Sequence, residues 1–199
     1  MKWLITGFEP FRTRQGEQLP ENPTGRMAEA LAERLPGGTA HILPVEFRKN
    51  PVLWGKLLDE VVPDGWLGLG LAPGRSRVEF EMVALNLQHA DSPDNADCCP
   101  RLEPVIEGGP LALAPTLPAQ PFLDRLRGAG VQAGLSFHAG TFLCNQLFYL
   151  GTHAATVGNR LAFTGFVHVP FLESESTVVD ALAASLLECP NVCVEPSTG

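Results

Sequence analysis

The apolar positions of this chain fall into two alternating rhythms. Short apolar runs at Lys2–Thr6, Thr39–Phe47, Trp66–Leu71, Val131–Phe137 and Leu161–Val169 are bounded by turn-forming residues, the pattern of buried strands. Between them apolar residues recur at helical spacing, as in Met27, Ala30, Leu31 and Leu35, or Leu53, Leu57, Leu58 and Val61. Asn22-Pro23 and Asn50-Pro51 supply a capping residue followed by proline at the first helical position. Pro36-Gly37-Gly38 and Pro63-Asp64-Gly65 stop the helices so started. Further helices are predicted over Pro118–Gly128, Thr141–Val157 and Thr177–Leu187. Val78–Leu87 reads as extended, and residues 88–117, rich in Asp, Pro, Asn and Gly, read as a long irregular excursion. Excursions of that length in a compact domain tend to be functional.

Strand-helix alternation of this kind predicts an α/β fold. Its expected form is a three-layer α/β/α arrangement with a mainly parallel, twisted central sheet flanked by helices, one domain over residues 1–199. In such sheets, sites form beyond the carboxyl ends of strands.

Composition narrows the function classes. Apolar residues at 45% and charged residues at 18% fit a globular protein rather than a disordered one. A net charge of −8 with no basic run argues against nucleic acid as a partner. The N-terminus lacks the apolar stretch of a secretory signal, and no run approaches a membrane span, so a cytoplasmic protein without membrane contact is expected. Five cysteines, an odd number, suit free thiols in a reducing compartment. Cys98-Cys99 with Cys189 and Cys193 match no strong zinc spacing, and no metal is expected.

One cysteine stands apart from these. Ala139-Gly140 permits a sharp turn out of a strand and into a helix, which places Cys144 near that helix's N-terminus. The free N–H groups and dipole there favour a thiolate and could stabilise an oxyanion. A buried structural thiol is the competing reading.

A cysteine nucleophile needs a base, and five histidines are available. His153, nine residues along the same helix, falls on its opposite face at about 100° per residue. His41 begins a strand, at the wrong end of the sheet. His168 closes a strand just before Pro170 and has the best position. A third group commonly orients such an imidazole. Glu79, Glu81, Asp91, Asp94 and Asp97 all remain open by spacing alone. Gly134-Leu135-Ser136-Phe137-His138 lacks the second glycine of a serine nucleophile elbow.

Several blocks, in order, resemble the pyroglutamyl peptidase I family of cysteine peptidases. They are Thr6-Gly7-Phe8-Glu9-Pro10-Phe11, Asn22-Pro23-Thr24, Ala72-Pro73-Gly74-Arg75, Glu81-Met82-Val83-Ala84-Leu85-Asn86, Pro93-Asp94-Asn95, the run Ala139–Tyr149, and Gly165-Phe166-Val167-His168-Val169-Pro170. The resemblance implies a catalytic Cys144, His168 and Glu81. It also implies a lactam pocket at Phe8, Phe11, Asn22, Phe142, Leu143 and Leu71. The implied activity is an omega-peptidase that hydrolyses the bond after an N-terminal pyroglutamyl residue of peptides, through a thioester and without a cofactor. A homo-oligomer, tetramer or dimer, is implied as well.

Three departures accompany the resemblance. Arg12-Thr13 and a longer Arg12–Glu21 loop stand where the family usually has two glycines. Leu71 stands where a glutamine is common, and Asp91 where an arginine would help the oxyanion hole, a duty that could pass to Arg75. They motivate the alternative of a weakly active or non-catalytic relative that binds lactam-bearing ligands.

Overall fold

A computed structural model describes residues 1–12, 16–17 and 19–189. Cys193 and part of the Arg12–Glu21 loop lie outside the described residues. In chain order the elements are β1 (Trp3–Phe8), α1 (Pro23–Glu33), β2 (Gly38–Leu43), α2 (Asn50–Val61), β3 (Gly65–Leu71), β4 (Val78–Glu81) and β5 (Ala84–Leu85). They continue with β6 (Ala112–Leu113), α3 (Ala119–Gly128), β7 (Ala133–Ser136), α4 (Leu143–Thr156), β8 (Phe163–Val169) and α5 (Glu175–Leu187). The cap read at Asn22 forms, with its side chain accepting from the Thr24 N–H.

Six strands make one sheet in the order β2-β1-β3-β8-β4-β7. The pairs β1/β2, β1/β3, β3/β8 and β4/β7 are parallel, and β4/β8 is antiparallel. This is the mainly parallel sheet expected, with one reversal beside the strand that carries His168. The extended stretch Val78–Leu87 divides: β4 joins the large sheet, while β5 leaves it to pair with β6. A hairpin contact inside the excursion, Gln88 with Glu103, completes that departure.

Strand alternation sorts the core onto two faces. Ile5, Leu67, Leu69, Val167 and Val169 pack with Met27, Leu31, Phe122, Leu126 and Leu182 of α1, α3 and α5. Leu4, Trp66 and Phe166 point the other way, against Trp54, Leu57 and Leu58 of α2 and Leu147 and Phe148 of α4. Three layers result. His168 follows Phe166 by two, so it shares the α4 face, and its parallel register partner is Gly70.

Helix α4 approaches the sheet closely, and a glycine permits it. A Cβ on Gly151 would lie 2.2 Å from the buried Trp66 ring. Gly151→Ala should therefore destabilise the protein by overpacking, by about 1–3 kcal/mol, read as a lower urea midpoint. An unchanged midpoint would contradict this helix-on-sheet approach.

Candidate active site

The chain leaves β7, turns at Gly140 and enters α4 with Phe142 as N-cap. Gly140 has φ +84°, a left-handed conformation that costs glycine little, and its N–H donates to the His138 ring at 2.9 Å. No side chain caps α4, so the first-turn N–H groups remain available. Cys144 lies in that first turn, partly accessible. Its sulfur sits over the sheet at Gly70, where an added Cβ would come within 3.0 Å of it. Cys144 and His168 line one cavity of about 650 Å³.

Behind His168 stands a carboxylate. Glu81 is fully buried (0% exposed) and its Oε1 lies 2.6 Å from His168 Nδ1. The same oxygen accepts from Arg75 Nη1 at 2.6 Å. The geometry thus chooses among the acids left open by spacing. Glu79 pairs with Arg75 and Arg77. Asp94 is buried but accepts from the backbone N–H groups of Phe47, Ala96 and Cys98, which makes it a loop organiser. Asp97 lies beside Arg12 at the surface.

All six residues implied for the lactam pocket line the same cavity: Phe8, Phe11, Asn22, Leu71, Phe142 and Leu143. Much of the wall is apolar, with Phe8, Val45, Leu71, Ala139 and Leu143 buried. Phe142 is fixed edge-on to Phe47, with ring centroids 5.0 Å apart. Asn22 is spent largely on structure, since its amide accepts from Thr24 and donates to the Glu9 carbonyl.

The structure departs from two sequence expectations. Arg75 is not available to an oxyanion, because Glu79 and Glu81 share its Nη1 and the His138 carbonyl takes Nη2. Nor does the helix terminus prevail over burial at Cys144. Burial, reinforced by the Glu81 charge, pushes the Cys144 thiol up to about 12, while Arg75 and the cysteine's own N–H pull the other way. Burial also lowers His168 below the ordinary imidazole value, with Glu81 opposing that shift. Burial works against the charge on Glu81, yet the His168 hydrogen bond and charge, with Arg75, hold its carboxyl below the usual range. All three shifts favour a neutral thiol and a neutral imidazole beside a charged carboxylate.

Sequence reasoning passed over His89 and Val45, which also line the cavity. His89 comes from the irregular excursion, where no periodicity marks a facing direction. Its backbone is clamped to Thr141, with N–H to carbonyl at 2.9 Å and Thr141 Oγ1 to the His89 carbonyl at 2.9 Å.

Comparison with known proteins places the chain in a family. The family model described as pyroglutamyl peptidase matches residues 1–197. A pyrrolidone-carboxylate peptidase of Pyrococcus furiosus is 36% identical, covering 98% of this chain and 91% of that protein. One from Bacillus cytotoxicus is 38% identical, covering 88% of this chain and 80% of that protein. A crystal structure of a mutant pyrrolidone carboxyl peptidase from P. furiosus superposes with a TM-score of 0.82 at 35% identity, over 94% of this chain and 97% of that one. The chain belongs to the pyroglutamyl peptidase family.

Two measurements check the electrostatics. Alkylation of Cys144 by iodoacetamide, followed by peptide mapping, should keep accelerating beyond pH 9, because burial pushes the thiol above its ordinary value. A plateau near neutrality would mean a preformed thiolate. Glu81→Gln should lower the His168 pKa further, read by NMR, since the carboxylate is what raises it.

Proposed function

We propose that this family member is a cysteine omega-peptidase that releases N-terminal pyroglutamate from peptides, with Cys144, His168 and Glu81 as its catalytic groups. The observation that carries the reading is the 2.6 Å Glu81–His168 contact behind a cavity that Cys144 also lines. With Nδ1–H donated to Glu81, the Nε2 of His168 is left as the proton acceptor.

The neutral resting pair sets the order of events. As Cys144 Sγ attacks the carbonyl carbon after the lactam ring, its proton passes to His168 Nε2, so thiolate and imidazolium arise together. The charge on Glu81 stabilises that imidazolium in a low-dielectric setting. N–H groups of the first α4 turn receive the developing oxyanion. The C–N bond then breaks, and the departing amine takes the proton from His168. Water attacks the thioester and gives its proton to His168; the C–S bond breaks, the thiol regains that proton, and free pyroglutamate leaves.

The apolar walls suit a small, flat, uncharged ring. Phe8, Phe11, Phe142, Leu143 and Leu71 form those walls in this reading, and Asn22 borders them. No helix among the described residues is long and apolar enough to cross a membrane. A cytoplasmic setting fits the four free cysteines described, and exposed Phe137, Phe171 and Leu187 offer apolar area for a homo-oligomer. The 199 residues are read as one catalytic domain.

A pyroglutamyl-amide reporter should be cleaved, and Cys144→Ala should lower kcat/KM by at least about a thousandfold. Turnover surviving in that variant would refute the nucleophile; binding of a pyroglutamyl ligand by calorimetry without turnover in the wild type would refute the enzyme. The acid limb of kcat/KM should fall below pH 6.5, because His168 must be neutral and its pKa is lowered.

A further inference from the structure

We propose that Asp91 selects substrates whose residue after pyroglutamate is basic, an inference that rests on the peptidase reading. Among the described residues lining the cavity, two carry permanent charge, Arg12 and Asp91. A lactam held against Phe8, Leu71 and Phe142, with its carbonyl at Cys144, directs the next residue outward to the mouth where these charges stand.

The position of Asp91 is built rather than loose. The preceding residues are fastened on two sides: His89 to Thr141, three positions before the nucleophile, and Ala90 to the Pro100 carbonyl at 3.0 Å. Cys99 Sγ reaches the Ala90 carbonyl at 3.1 Å. The residue that follows, Asp91, lines the cavity with a side chain 72% exposed, a position at the rim and not in the buried wall.

Its present partners hold it weakly. Arg101 Nη1 is 4.0 Å away and 62% exposed, the longest ion pair among the described residues, and His89 Nε2 is 3.5 Å away. Exposed pairs of this kind contribute little, so an incoming ammonium or guanidinium can take the place of Arg101. Arg12 does not offset Asp91 directly, since its guanidinium is turned to Asp97 at 3.3 Å. The net charge of −8 adds a long-range pull on cationic peptides.

The test compares pyroglutamyl-lysine amide with pyroglutamyl-glutamate amide, C-terminally blocked so that only the side-chain charge differs. Release of free pyroglutamate gives kcat/KM for each, and the ratio within one protein is independent of its overall activity. The wild type should favour lysine by about threefold to fivefold, mostly through KM, and about 0.5 M salt should shrink the preference. Asp91→Asn should bring the ratio near one, and Asp91→Arg should invert it. A wild-type ratio near one, or a lysine preference that persists in Asp91→Asn, would overturn the inference while leaving the peptidase reading intact. Failure to cleave either amide or pyroglutamyl-alanine amide would overturn both.

Discussion

A carboxylate with no solvent exposure must find hydrogen-bond donors or lose its charge, and the arrangement around Glu81 is built on that requirement. One oxygen receives both His168 and Arg75. Arg75 in turn holds Glu79 and the His138 carbonyl, at the turn that leads to Cys144. A single buried anion therefore connects β4, β8, the loop after β3 and the entry to α4. The reversed strand is what makes this possible: antiparallel pairing sets Glu79 across from His168 and leaves Glu81 two residues along on the same face.

The same economy of buried polar groups orders the long excursion. Asn145, next to Cys144, accepts from the Leu85 N–H and donates to the Leu85 and Leu87 carbonyls. Gln146 reaches the Phe47 carbonyl and the Gln88 side chain. Asn86 holds Val105, Ile106 and Gly109. Each irregular turn gains the backbone partners that a helix or strand would have supplied. The segment that carries His89 and Asp91 is thus tied by hydrogen bonds to the helix that carries Cys144.

Burial gives this site its chemical character. It favours the protonated thiol and the neutral imidazole, and it strengthens the carboxylate's effect on any imidazolium that forms. In the proposed reaction, charge separation is then deferred to the moment of attack, when first-turn N–H groups and Glu81 can act on it.

The sequence by itself determined the layered α/β plan, because periods of two and of three to four residues dictate which positions can be buried together, and proline and glycine mark where each run ends. It also brought Cys144 to a helix start and His168 to a strand end, since both follow from local signals. The ordered blocks then singled out Glu81 from five acids that spacing alone left equivalent. What only the tertiary structure decided was everything requiring the sheet order: that β4 runs against β8, that Arg75 is consumed by two glutamates, and that Asp91 stands at the mouth. Burial of Cys144 likewise depends on the tertiary fold, and it raises the thiol where helix-terminus logic alone pointed to a thiolate. A local pattern carries the face a residue points to, but burial and long-range pairing depend on elements far apart in the chain.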